Sequence, residues 1–113
     1  MMISQPLLAT AHRLPDKEAL VTGKERLTYA EVAARAASVA VFLRERGVRP
    51  GDRVVILLPN GSEAVAAIYG ASWVGATFVP LSPQTRPAKL RTILTEVAPT
   101  AIIVAAAHRP LWE

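Results

Sequence analysis

A chain of 113 residues and 12.1 kDa has the size of one small domain. With 51% hydrophobic and 19% charged residues it is neither disordered nor collagen-like. The absence of cysteine excludes disulfides, thiolate catalysis and cysteine-based zinc sites. The net charge of +4 arises from 13 basic residues scattered from Arg13 to Arg109 among nine acids, a pattern without cationic runs that argues against nucleic acid as a partner.

In chain order, Met1–Pro6 lacks the basic and apolar regions of a signal peptide, so a cytoplasmic location is expected. Leu7, Leu8, Ala11 and Leu14 recur at helical spacing and predict a short first helix, closed by Pro15 and Asp16. Ala19–Thr22 and Arg26–Thr28 flank Gly23, Lys24 and Glu25 as the two arms of a small hairpin. Thr28 and Glu31 have the spacing of a capping box, with Leu27 and Val32 as its hydrophobic staple. They open a helix over 29–46 whose apolar face is Val32, Ala33, Ala36, Ala37, Ala40 and Leu43. Gly47 stops it in a left-handed conformation that lets Val48 meet Leu43.

Pro50-Gly51 signals a type II turn, and Val54–Leu58 is a continuous aliphatic run suited to a parallel strand buried on both faces, predicted over 53–58. Pro59-Asn60-Gly61 ends it, and Ser62 is the expected N-cap of an almost wholly apolar helix over 63–74. The apolar stretch from Ala64 to Ala76 falls short of the ~20 residues that span a bilayer. A strand over 77–80 follows. Thr85 or Arg86 then opens a helix over 87–97, with Pro87 in its first turn and Leu90, Ile93, Leu94 and Val97 inward; a last strand is predicted over 101–104. Alternation of strand and helix implies an α/β fold, a mostly parallel sheet with right-handed crossover helices, in one unit over residues 1–113.

In such sheets ligands sit outside the C-terminal strand ends, which directs attention to Pro59–Ser62 and Leu81–Arg86. Asn60-Gly61-Ser62 leads into a helix N-terminus, a general anion-favouring feature, but matches neither glycine-rich phosphate motif. Ser82 and Thr85 have no neighbouring base and read as turn and cap residues. His12 and His108 stand alone, Glu63 and Glu96 form no carboxylate pair, and Trp73 and Trp112 read as core or interface side chains. No catalytic, cofactor-binding or metal-ligating residue is assigned on this chemistry.

The order of motifs carries further information. Leu27-Thr28-Tyr29-Ala30-Glu31-Val32 resembles the first core motif of the adenylate-forming (ANL) superfamily of acyl-CoA synthetases, luciferases and peptide-synthetase adenylation domains. Gly47–Val54 and Leu58–Glu63 follow in the family's order, and Trp73–Leu81 is similar to the second core motif, with Trp73, Val74 and Phe78 in place of leucine, lysine and tyrosine. The resemblance runs over residues 6 to 104. It implies an incomplete N-terminal subdomain of an ATP-dependent carboxylate-activating ligase, with ATP, magnesium and coenzyme A as cofactors of the complete parent and none bound by this chain.

The family's phosphate loop, adenine-contacting motif, ribose-binding aspartate and catalytic lysine lie beyond the matched motifs. Lys17, Lys24 and Lys89 sit in loop, turn and exposed-helix contexts. The resemblance therefore implies scaffold rather than active site, with the rest of the parent enzyme, or self-association through an open sheet edge, as the expected partner. A non-catalytic interaction domain derived from such an enzyme, and part of a peptide-synthetase adenylation domain, are the alternatives.

Overall fold

The computed structural model describes residues 4–22 and 25–105. Its elements are α1 (Ser4–Arg13), β1 (Glu18–Thr22), β2 (Glu25–Thr28), α2 (Tyr29–Glu45), β3 (Arg53–Leu57), α3 (Ser62–Trp73), β4 (Thr77–Pro80), α4 (Pro87–Val97) and β5 (Ala101–Val104). They follow the predicted α/β order closely. β1 and β2 form an antiparallel hairpin, and a separate three-stranded parallel sheet has the order β4-β3-β5.

The local signals act as expected at most element ends. Thr28 Oγ1 accepts from the Glu31 N–H at 3.2 Å and the Thr28 N–H donates to Glu31 Oε1 at 2.9 Å, so the capping box that opens α2 is complete. At the other end Gly47 takes φ 87°, and the Val48 N–H donates to the Leu43 carbonyl at 3.1 Å, returning the chain to the core. Gly51, with φ 88°, sits third in a turn closed by Asp52 N–H to Arg49 carbonyl at 3.0 Å, the type II geometry that Pro50-Gly51 implied.

Two local expectations need correction. Glu25 is not a turn residue: it begins β2 and pairs with Thr22, leaving the hairpin connection to Gly23 and Lys24, which lie outside the described residues. Ser62 is not the cap of α3. Gly61 occupies the cap position without any side-chain bond, and Ser62 is the first helical residue. The Ser62 hydroxyl instead donates to the Glu25 carboxylate on the hairpin.

β3 is the centre of the molecule. Val54, Val55, Ile56 and Leu57 are all buried, each contributing ~1.5–3 kcal/mol of apolar transfer free energy. On one face Val54, Ile56 and Leu58 pack with Ala40 and Leu43 of α2 and Ala67 and Ala71 of α3. Because the first crossover places β4 on one side of β3 and the second returns to the other side, a constant right hand puts α3 and α4 on opposite faces. α4 buries Leu90 fully but Ile93, Leu94 and Val97 only in part. Its C-terminal end is tied to the start of β3: Arg53 donates through Nε to the Val97 carbonyl, and the Arg53 carbonyl accepts from the Thr100 N–H at 2.8 Å.

A second, smaller cluster joins Leu7, Leu27, Val32 and Ala36 beneath the hairpin, and Trp73 packs against both clusters. Where α2 packs on α3, Gly70 lies directly against Val39 and Ala36. A Cβ there would lie 2.6 Å from Val39 Cβ and 2.9 Å from the Ala36 carbonyl oxygen, inside any tolerable contact. Gly70→Ala should therefore push the two helices apart and destabilise the fold by on the order of 1–3 kcal/mol. Denaturant unfolding measures this, and an unchanged midpoint would mean that the crossing is not tightly packed.

Candidate functional site

The two loops singled out in the sequence meet. β3 runs out through Leu58, Pro59 and Asn60, β4 through Leu81, Ser82 and Pro83, and between them lies a cleft of about 590 Å³ at the C-terminal end of the sheet. Its floor is aliphatic, from Ile56, Leu58, Ala64 and Ile68, and its polar rim is Asn60, Ser82 and Gln84. Every lining side chain is neutral. Ser82 is committed to its own turn: its Oγ accepts from the Gln84 N–H at 3.1 Å and its carbonyl accepts from Thr85 Oγ1 at 2.7 Å. Thr85 stays in that turn, and Arg86 caps α4 with Pro87 behind it.

The cleft can accept a small apolar group and orient it through amide and hydroxyl contacts. It does not fit a nucleotide triphosphate, for its lining offers no cation to the phosphates and no carboxylate to magnesium. Among the described residues no three histidine, aspartate or glutamate side chains come together as a metal site. No helix of the described residues is long and apolar enough to cross a membrane.

The other candidates are dispersed. His12 lies exposed in the last turn of α1, Glu63 in the exposed first turn of α3 and Glu96 on exposed α4, while Lys17 and Lys89 are exposed. Trp73 is half-buried between the two apolar clusters, as a core side chain. His108 and Trp112 lie outside the described residues, as does Lys24.

What the sequence concealed is a polar junction on the other side of α3. Ser62 Oγ donates to Glu25 Oε1, and Arg35 Nη1 lies 3.3 Å from both Glu25 Oε2 and Ser62 Oγ. One residue comes from the hairpin, one from α2 and one from α3, so the cluster fastens three elements. The Ser62 hydrogen bond first, and the Arg35 charge second, hold the Glu25 carboxyl below the usual carboxylate range, against partial desolvation. With separations of 10, 27 and 37 positions, no local pattern could have announced it.

A family profile described as AMP-binding enzyme matches residues 7–112. Pyochelin synthetase PchE of Pseudomonas aeruginosa is 41% identical over 104 residues, covering 82% of this chain and 7% of that protein. The 2-hydroxy-7-methoxy-5-methyl-1-naphthoate–CoA ligase of Streptomyces carzinostaticus is 36% identical over 103 residues, covering 91% of this chain and 18% of the ligase. Among solved structures, the inhibitor-bound N-terminal domain of FACL13 from Mycobacterium tuberculosis superposes with a TM-score of 0.89 at 32% identity, over 96% of this chain and 28% of that one. The chain thus spans less than a third of the length of each of these relatives.

The Glu25 junction has a definite pH signature. A carboxyl whose folded-state pKa is depressed contributes stability that is present above its unfolded value, near 4, and lost as pH falls through the lower folded value. Glu25→Gln should lower the unfolding midpoint at pH 7, and the difference from the parent should shrink as pH is taken below about 4. Paired denaturation curves across that range are the measurement, and a difference independent of pH would mean that the ionised carboxylate is not what matters.

Proposed function

Since the chain belongs to the AMP-binding enzyme family, we propose that it is the N-terminal framework segment, one partial domain over residues 1–113, of an ATP-dependent carboxylate-activating ligase. The complete enzyme would join a carboxylate to AMP with release of pyrophosphate, and a thiol, coenzyme A in the leading reading, would then displace AMP to give a thioester. ATP, magnesium and coenzyme A belong to that whole enzyme. The observation that carries the assignment is the family match over 7–112 on a chain whose recognisable motifs are all framework: the Thr28–Glu31 box opens α2, Gly47–Val54 turns into β3, and Ala76–Leu81 forms β4 and its exit.

The neutral lining of the cleft supports a structural role. Adenylate formation needs donors on the triphosphate and on the charge that develops at phosphorus, usually a lysine or arginine and a metal ion. Lys17 and Lys89 are solvent-exposed and do not line the cleft between β3 and β4. The segment's part is to supply the buried central strand and its covering helices against which the catalytic elements of a longer chain are set. A second reading is favoured by the similarity to pyochelin synthetase, the higher of the two sequence identities given above. There the segment would belong to an adenylation domain within a peptide synthetase, acting on an amino or aryl acid.

The isolated chain should catalyse no carboxylate-dependent exchange of pyrophosphate into ATP above a buffer blank. An exchange activity that persists through purification and disappears on substituting a residue of this chain would overturn the framework assignment. Intact mass of the protein from its native source separates the ligase from a free-standing interaction domain, since only the former requires a product several times longer than 113 residues.

A further inference from the structure

At the opposite end of the sheet from the cleft, the segments that lead into β3 and β4 meet. The Gly51 N–H donates to the Gly75 carbonyl at 3.0 Å, and the Thr77 N–H donates to the Asp52 carbonyl at 2.8 Å. Between the end of α2, the turn at 49–52 and the end of α3 lies a pocket of about 480 Å³. Val48, Pro50, Trp73 and Val74 form its apolar wall. Arg44 and Arg49 are the charged residues of its lining.

The backbone that carries this pocket is fixed. The Val48 N–H bond to the Leu43 carbonyl, at 3.1 Å, ties one wall to α2. The turn is closed twice, by the Asp52 N–H to the Arg49 carbonyl at 3.0 Å and by the Arg49 N–H to Asp52 Oδ2 at 2.8 Å. Gly75 takes φ 80° and packs so closely under Pro50 that a Cβ there would stand 3.2 Å from the Pro50 Cβ. Walls set in this way need little ordering when a ligand arrives.

Its charge is unmatched within the chain. Arg44 and Arg49 are exposed, and among the described residues neither forms an ion pair. Their neighbours are engaged: Arg46 lies 4.1 Å from the Phe42 ring centroid, Arg53 donates to the Val97 carbonyl, and the Asp52 carboxylate is occupied by the Arg49 N–H. Arginine and tryptophan over an apolar floor are the residue types that dominate binding at protein interfaces. A bare phosphate would leave Trp73, Val48 and Pro50 uncovered, whereas a carboxylate beside an apolar side chain complements both halves of the pocket. A second copy is disfavoured by charge. The chain carries +4, and four arginines stand among residues 44–53 against Glu45 and Asp52, so two such ends would repel. Trp73 and Val74 are also positions where this chain departs from the second core motif, so the apolar wall belongs to this sequence rather than to the motif.

We propose that this pocket is the docking site for an acidic polypeptide segment, with a carboxylate held by Arg44 and Arg49 and a neighbouring apolar side chain laid on Trp73. The proposal goes beyond the framework reading and does not depend on it. Docking there pairs two exposed guanidinium groups and removes the apolar wall from water. Because the arginines are exposed, the attraction is screened by salt, while the contact on Trp73 is not.

The test is a fluorescence titration of the full chain carrying Trp112→Phe, which leaves Trp73 as its one tryptophan. The probe is the peptide acetyl-Asp-Glu-Phe-Glu-Asp-amide. At low salt it should shift the Trp73 emission saturably, with a Kd below about 1 mM. The uncharged counterpart acetyl-Asn-Gln-Phe-Gln-Asn-amide, and the acidic peptide with alanine for its phenylalanine, should each bind at least about 10-fold more weakly. Arg44→Gln and Arg49→Gln should each weaken binding of the acidic peptide by at least about 5-fold. Arg91→Gln, which removes an exposed arginine from α4, should leave it unchanged. All three substitutions fall on exposed side chains, and circular dichroism matching the parent confirms that the variants are folded. Absence of saturable binding up to about 10 mM, equal binding of the uncharged peptide, or indifference to both Arg44→Gln and Arg49→Gln overturns the proposal. Trp73 emission that changes with protein concentration without peptide, and no longer does so in Arg44→Gln, would give the pocket to a second copy and overturns it too. None of these outcomes alters the framework reading.

Discussion

Burial of β3 on both faces and along both edges is the constraint from which the rest of the architecture follows. A strand reading Arg-Val-Val-Ile-Leu offers water nothing but its first side chain, so it is stable only where helices cover it above and below and strands flank it on either side. The chain meets all four demands with two crossovers running in opposite directions from one strand. The cleft between the loops after β3 and β4 is the geometric by-product, because those strands end together while their connections diverge.

The cover on one face depends on small side chains. α2 and α3 approach closely because Ala36, Ala40, Ala67, Gly70 and Ala71 present little bulk at the crossing, and twenty alanines in the chain reflect that demand. The hairpin is held against this pair by different chemistry. Its apolar contacts through Leu27 and Leu20 are few, and the Glu25, Ser62 and Arg35 junction adds a charged bond at the point where hairpin, α2 and α3 converge. Closing one face so thoroughly while α4 leaves Ile93, Leu94 and Val97 half-buried makes the unit strongly asymmetric.

That asymmetry bears on function more than the cleft does. A neutral, aliphatic cleft can shape a boundary or hold an apolar group, but it cannot stabilise phosphate charge. Family membership and the neutral lining of the cleft are the two observations on which the framework proposal rests.

Much of this was legible in the residues themselves. The Thr28–Glu31 box, Gly47, Pro50-Gly51 and the aliphatic run of β3 are interactions among neighbours within about five positions, where spacing alone decides whether the bond can form. The order of those signals also carried the family. Tertiary structure decided what depends on distant partners. Ser62 stands at the start of a helix and reads as its cap, yet it is the first helical residue, and its hydroxyl donates to a carboxylate 37 positions away. Glu25 passes from turn to strand because its backbone pairs with Thr22 across the hairpin. Nor could spacing tell that β4 and β5 lie on opposite sides of β3: strand order is set by crossover direction and by which apolar faces find cover, and both are properties of the assembled sheet.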